Sequence, residues 1–210
     1  MSITMTPGSA ATVKKAINGK RKVRPTWEIA DYFPMQGQWT EDEYLDLPED
    51  GRRVELVDGF LEFLPMPVRS HELTVQFLYH ALLSFVMSNR LGELYWSGRH
   101  VKLRELNIRE PDIVFVPFSK VDPNDEQYAL GADLVMEIVS GGSEDRKRDL
   151  VEKFKDYAKA GIEEYWIVDP KLKMISVLNL KSGKYGTRRD FKPGEKAVSN
   201  VLKGFEVGVT

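Results

Sequence analysis

The fold is decided by residues 109–170. They read REPDIVFVP (109–117), ADLVMEIVS (132–140), SEDRKRDLVEKFKDYAKAG (143–161) and EEYWIVDP (163–170). The apolar runs Ile113–Val116, Leu134–Val139 and Tyr165–Val168 are short and rich in β-branched or aromatic residues, which is typical of strands buried on both faces. The stretch between the last two runs has helical spacing. The order strand, strand, helix, strand therefore predicts an α/β domain.

Two of these predicted strands carry a carboxylate in an otherwise apolar setting. Asp112 begins the first run and Glu137 lies inside the second. A buried carboxylate is costly unless it is paired or binds a metal, and two on neighbouring strands also repel each other. At least one of them is therefore expected to have a raised pKa. A divalent cation between them would relieve both costs.

The predicted helix presents a polar edge toward the sheet. Ser143 is a suitable N-cap and Gly161 a suitable end. Asp149, Lys153 and Tyr157 follow one another at intervals of four residues, so their side chains lie along one edge of the helix.

The ordered set of motifs resembles the core of PD-(D/E)XK nucleases, and more closely the Uma-two family of restriction endonuclease-like domains. The resemblance covers roughly residues 40–180. It rests on Val54-Glu55-Leu56-Val57-Asp58-Gly59, His71, Pro111-Asp112, Glu137-Ile138-Val139-Ser140, Lys153, Tyr157 and Gly161-Ile162-Glu163-Glu164-Tyr165-Trp166. It implies a restriction endonuclease-like core, in which helices flank a mixed central β-sheet.

The resemblance also implies a metal site for phosphodiester hydrolysis. Asp112 and Glu137 would bind Mg²⁺ or Mn²⁺, with the carbonyl of Ile138 as a further ligand. Glu55 would be a third acid, direct or through water. From the residues alone, Glu55 alternates with apolar neighbours in a predicted hairpin and would be an ordinary exposed acid.

The catalytic lysine is displaced from the superfamily position. That position, two residues after the second acid, is Val139 here. The resemblance implies Lys153 as a migrated lysine that orients or deprotonates the attacking water. It also places Tyr157 and His71 in supporting roles. From the residues alone, Tyr157 is equally well a core-edge aromatic and His71 a helix cap or surface residue.

Other local signals complete the predicted domain. Asp58-Gly59 indicates a tight hairpin between Arg53–Val57 and Phe60–Leu64, with Val54, Leu56 and Phe60 facing inward. A long helix is predicted over 72–91, with Gly92 as its stop. Its apolar face is predicted to hold Leu73, Phe77, Leu78, Ala81, Leu82, Phe85 and Val86. We expect one domain from residue 26 to residue 210, after a flexible basic tail over residues 1–25.

Composition limits the classes of function. The chain has no cysteine, which excludes disulfides and thiolate zinc sites and fits a cytoplasmic protein. The first 27 residues carry six basic residues and no acid, whereas the rest carries 24 basic and 32 acidic residues, a net charge of −8. Because phosphate neutralisation supplies most non-specific DNA affinity, the acidic body favours weak or specific DNA binding over promiscuous binding. No apolar run reaches the length of a membrane span. A homodimer is left open.

Two main functions follow from the sequence, and a hydrolase that is not a nuclease is left open beside them. The first is a metal-dependent DNA endonuclease with Glu55, Asp112, Glu137 and Lys153 as catalytic residues. The second is a binding or structural module that keeps the nuclease fold without useful catalysis, since fold alone does not fix activity.

Overall fold

The computed structural model describes residue 30 and residues 32–48, 51–140, 142 and 146–210. The chain divides into two compact units, Met1–Pro34 and Met35–Thr210, and the fold described below is that of the second unit. The basic tail predicted over residues 1–25 lies outside the described residues, as does Ser143. The domain start at residue 26 stays a prediction.

Helices and strands are distributed along the second unit as follows. The helices are α1 (Glu41–Leu45), α2 (Arg69–Asn89), a π-helical turn (Arg148–Glu152) and α3 (Lys153–Lys159). The strands are β1 (Val54–Val57), β2 (Phe60–Phe63), β3 (Gly92–Trp96), β4 (His100–Arg104), β5 (Asn107–Arg109), β6 (Ile113–Pro117), β7 (Tyr128–Ala129), β8 (Leu134–Ile138), β9 (Glu164–Asp169), β10 (Met174–Lys181), β11 (Lys184–Tyr185), β12 (Arg189–Phe191), β13 (Lys196–Val198) and β14 (Glu206–Gly208).

The central sheet has seven strands and is mixed, as predicted. Its order is β11-β10-β9-β8-β6-β3, and β12 also pairs with β10. Strands β8 and β9 are parallel, and the other pairs are antiparallel. Ile113 of β6 lies opposite Met136 of β8. Asp112 and Glu137, each one residue further out, therefore meet at one end of the two adjacent strands.

A second sheet, of order β2-β1-β5-β4-β7, contains the predicted hairpin. Asp58 and Gly59 have φ values of 52° and 79°, as a two-residue turn of this kind requires. The predicted inward position of Phe60 is wrong. Leu56 pairs with Leu61, so Leu61 shares its buried face, while Phe60 pairs with Val57 and is exposed.

Helix α2 covers one face of the central sheet with a single apolar stripe. Its buried residues are His71, Val75, Leu78, Leu82 and Val86. The predicted core positions Leu73 and Phe77 are wrong, since both side chains are about half exposed. Each is two residues from Val75, a rotation of about 200° at 3.6 residues per turn, and therefore lies on the opposite face.

Position 92 needs a glycine because an adjacent strand lies close to it, and not because a helix ends there. Helix α2 ends at Asn89, and Arg90 takes the left-handed conformation with φ of 52°, so the prediction that Gly92 stops the helix is wrong. Gly92 is the first residue of β3. A Cβ added there would lie 2.2 Å from the carbonyl oxygen of Val116 and 2.7 Å from Cα of Pro117.

Gly92→Ala is expected to destabilise the protein by about 2–3 kcal/mol, because the new methyl group meets backbone on the adjacent strand and the sheet must shift to admit it. Urea unfolding measures the loss. Gly186→Ala is the matched control, since a Cβ there has no neighbour closer than 3.8 Å. Equal unfolding midpoints for the two variants would show that the backbone adapts at no cost.

Candidate active site

Five sequence-predicted residues are brought together from five parts of the fold. Glu55 comes from β1, His71 from the first turn of α2, Asp112 and Glu137 from the ends of the two central strands, and Lys153 from the start of α3. All five side chains are buried, with at most 4% of any residue exposed. A cluster of charged groups at this depth is unusual unless its members pair with one another.

Lys153 joins two of the predicted acids. Its Nζ atom lies 2.8 Å from Oε1 of Glu137 and 3.0 Å from Oε1 of Glu55. The Tyr157 hydroxyl, one turn further along α3, donates to the same Oε1 of Glu137 at 2.5 Å. The migrated lysine predicted from sequence is therefore in contact with the predicted site, and Tyr157 is a polar partner as well as a core aromatic.

A π-helical turn precedes Lys153. The backbone N–H of Lys153 donates to the carbonyl of Arg148, five residues back, and both Asp149 and Lys153 are buried. Such turns are rare in helices and are frequent at functional sites. The helical periodicity of the sequence predicts the helix, but it does not reveal the extra residue in this turn.

Asp112 is held by three donors. Its Oδ2 accepts the backbone N–H of Ile138 at 2.8 Å and lies 3.1 Å from Nε2 of His71. Its Oδ1 lies 3.3 Å from Nη2 of Arg53. His71 is thus a buried partner of a predicted metal ligand, which favours the supporting role implied by the resemblance over the surface position.

Glu55 is completely buried, which contradicts the exposed position that alternation alone predicts. Its Oε1 accepts the N–H of Glu110 at 2.9 Å in addition to Lys153, and its Oε2 accepts from Arg109 at 2.8 Å. Both oxygens are therefore occupied. Glu55 fixes the position of Lys153 within the cluster.

Arg109 and Arg53 are the cationic partners that the sequence analysis missed. Arg109 is buried on β5 and also bonds Glu62 and Asp156, each at 2.7 Å. Arg53 donates through Nε to Oε1 of Glu110 at 2.9 Å. One signal was available for Arg53, because the period of two along a strand places residues 53 and 55 on the same face.

The cluster retains an excess of buried negative charge. Burial raises the pKa of Glu137, and the charges of Asp112, Asp149 and Glu55 add to it, so that its pKa reaches about 8 despite the opposing charge of Lys153. Burial likewise raises the pKa of Asp149 to about 6.

The pKa values of Glu55 and Lys153 both shift so as to favour the charged form. Burial opposes ionisation of Glu55, but the charges of Lys153 and Arg109 outweigh it and lower the pKa to about 2. Burial would lower the pKa of Lys153, but Glu137, Glu55 and Asp149 hold it above the usual lysine value. The expectation of at least one acid with a raised pKa is thus met at Glu137.

This shift predicts how stability depends on pH. The carboxyl of Glu137 takes up its proton near 4.5 when unfolded and near 8 when folded. The stabilisation that this bound proton contributes is therefore complete below the unfolded-state pKa and is lost as the pH rises through the folded-state pKa. The Glu137→Gln substitution keeps the size of the side chain and removes its titratable group. The melting temperature of this variant relative to wild type is expected to rise between about pH 5 and about pH 9 without divalent metal.

The exposed Glu105 provides the matched control, since Glu105→Gln also removes one carboxylate. Scanning calorimetry of the three proteins over this pH range measures the effect. A difference between Glu137→Gln and wild type that stays constant with pH would contradict the assignment.

The donor set suits a hard divalent cation at Asp112 and Glu137. No described residue donates a hydrogen bond to Oε2 of Glu137, and both carboxylates line one narrow pocket. Carboxylate oxygens in a site with excess negative charge fit Mg²⁺ or Mn²⁺. Among the described residues, no group of three or more His, Cys, Asp or Glu side chains converges as a metal-binding group. A cation here would therefore be held by two carboxylates, and backbone or water oxygens would have to supply its other ligands.

The fold and the acid–lysine cluster define a restriction endonuclease-like domain, and the chain belongs to the Uma2 family. The model of this family, described as "Putative restriction endonuclease", matches residues 41–210. A similar fold is found in a crystal structure titled as a putative nuclease belonging to DUF820 from Anabaena variabilis ATCC 29413. It is 19% identical with a TM-score of 0.68, over 84% of this chain and 96% of that one. No curated protein matches. No helix among the described residues is long and apolar enough to cross a membrane.

Proposed function

We propose that this protein is a metal-dependent endonuclease that hydrolyses phosphodiester bonds in DNA. The observation that carries the proposal is the position of Lys153, whose ammonium group contacts both Glu137 and Glu55. Lys153, on helix α3, thus contacts Glu137. In the superfamily pattern the lysine stands two residues after this acid, on the same strand. Family membership supports a nuclease of this class.

Asp112 and Glu137 would hold Mg²⁺ or Mn²⁺, together with the carbonyl of Ile138. When bound, such a cation polarises the phosphate, lowers the pKa of a bound water and stabilises the leaving oxygen. Glu55 acts through Lys153 in this proposal, because its own oxygens already accept three hydrogen bonds.

Lys153 acts as a cation rather than as a base. The surrounding carboxylates raise its pKa, so it is protonated near neutral pH and donates hydrogen bonds. In that form it orients the attacking water and stabilises negative charge that develops on the phosphate. Tyr157 holds Glu137 in place, and His71 holds Asp112 in place.

DNA binding is expected to be weak or specific, because the body of the protein carries 24 basic and 32 acidic residues and its net negative charge opposes phosphate neutralisation. Arg53 and Arg148 line the pocket beside Asp112 and are suited to meet a phosphate there.

A non-catalytic module with the nuclease fold is the second candidate. It is favoured by the pairing within the cluster, where Lys153 and Arg109 neutralise Glu55 while Arg53 and His71 contact Asp112. A site in which these two acids are paired inside the protein can be stable without performing chemistry.

Cleavage of a supercoiled plasmid by the purified protein separates these functions. We expect nicking in Mn²⁺ or Mg²⁺ and none in EDTA. Single-stranded DNA and RNA of matched length are tested in parallel. Failure to cleave any of the three in either metal would support the non-catalytic module.

A further inference from the structure

The segment between β2 and α2 carries exposed apolar side chains beside the candidate site. This segment, Leu64-Pro65-Met66-Pro67-Val68, is called the apolar rim below. Leu64, Pro65 and Pro67 line the same pocket as Asp112 and Glu137. Met66 is 75% exposed and Val68 is 58% exposed. The two prolines fix φ at residues 65 and 67, which restricts the conformations of the rim although it belongs to no helix or strand.

The pocket itself is narrow. Its volume is about 20 Å³, close to the space that one water occupies. A space of this size admits one oxygen of a phosphate group and excludes the rest of a nucleotide. The nucleosides on either side of a phosphate seated there therefore lie outside the pocket, whose lining the apolar rim forms in part.

The lining of the pocket is polar on one side and apolar on the other. The apolar rim contributes Leu64, Pro65 and Pro67, whereas the polar side holds the candidate acids together with Arg53 and Arg148. Arginine binds phosphate, and exposed apolar side chains contact the faces of bases that are not stacked in a duplex. An intact duplex presents phosphates and sugars on its outside, so it would place charged groups against Met66 and Val68.

We propose that the apolar rim binds bases of an unpaired strand, so that the substrate class of this site is single-stranded or locally unpaired DNA. The inference rests on the proposed function for the position of the scissile phosphate. The competing occupant of the apolar rim is a second copy of the chain, and the test includes that outcome.

The test measures binding first and cleavage second. Binding of a fluorescein-labelled single-stranded oligonucleotide and of the same sequence as a blunt duplex is followed by anisotropy without divalent metal. Cleavage of both is then followed in Mn²⁺. The rim variant is Met66→Ser/Val68→Ser. Met87→Ser is the matched control, because Met87 is 66% exposed on α2, the helix that follows the rim, but lies 16 residues beyond His71, about 24 Å along that helix.

We expect the single strand to bind at least tenfold more tightly than the duplex and to be cleaved faster. The rim variant should lose about fivefold or more of the single-strand affinity, because two apolar side chains no longer bury surface against a base, while Met87→Ser retains wild-type affinity. Equal or tighter duplex binding, no binding of either DNA, or an unchanged rim variant would overturn the proposal.

Two further outcomes show which part of the account is wrong. A dimer in size-exclusion chromatography that the rim variant loses, with DNA binding unchanged, would overturn the proposal in favour of contact between copies. Single-strand binding that depends on the apolar rim but produces no cleavage would support the inference and reject the nuclease activity on which the phosphate position was based.

Discussion

Lys153→Met is expected to slow single-turnover cleavage of DNA by at least about 100-fold, the loss typical of removing one acid–base or charge-stabilising group. The substitution keeps the length of the side chain and removes the ammonium group that contacts Glu137 and Glu55. Since Lys153 is not a metal ligand, Mn²⁺ binding should be largely retained. Asp112→Asn should lose both metal binding and cleavage.

The matched controls for Lys153 are two exposed lysines of the same segment. Lys155 is exposed on α3, and Lys147 is 62% exposed and pairs with Glu152 at 3.3 Å. Methionine at either position should leave the rate within about twofold of wild type, as surface substitutions usually do. Circular dichroism shows whether each variant is folded. Equal rates for folded Lys153→Met and wild type would remove Lys153 from the mechanism.

Arg109→Met is expected to destabilise the protein by about 3–5 kcal/mol, because it leaves Glu55 buried without its guanidinium partner. Arg109 is 1% exposed and bonds three carboxylates, those of Glu55, Glu62 and Asp156. Urea unfolding at neutral pH measures the loss. Adding Glu55→Gln should recover part of it, since the stranded charge is then absent.

Arg104→Met is the matched control for Arg109. Arg104 also pairs with a carboxylate, Asp58 at 2.6 Å, but its side chain is 38% exposed, so its removal should cost at most about 1 kcal/mol. The pKa of Glu55 is lowered to about 2 in the wild type, so its ionised form contributes stability at neutral pH that is lost as the pH falls through that value. The gap between wild type and Arg109→Met should therefore narrow toward acid pH. Equal losses for the two arginines would contradict the buried network.

The strands of the central sheet could be predicted because their apolar runs are short, β-branched and bounded by polar turns. Asp112 and Glu137 stood out for the same reason, since one begins such a run and the other interrupts one. The proximity of the two side chains followed from the order of strands in the sheet, which the resemblance to a known family supplied. The hairpin at Asp58 and Gly59 could be predicted equally well, because few dipeptides adopt the backbone conformation of that turn.

The polar network within the site could not be predicted from periodicity. Arg109 and Glu55 are both fully buried charges, and a period of two assigns a charged residue to the solvent face unless its partner on another strand is known. The face of α2 was misassigned at Leu73 and Phe77 because an apolar residue can also lie on the surface. The π-helical turn before Lys153 adds one residue to a helix without any signal in side-chain type.

The claim that Asp112 and Glu137 share one divalent cation is tested most directly by anomalous diffraction from crystals of the protein soaked in Mn²⁺. We expect one anomalous peak between the two side chains, at about 2.0–2.6 Å from an oxygen of each, and no peak there in crystals of Asp112→Asn. A wild-type crystal without a peak at this position, or a peak that persists unchanged in Asp112→Asn, would contradict the claim.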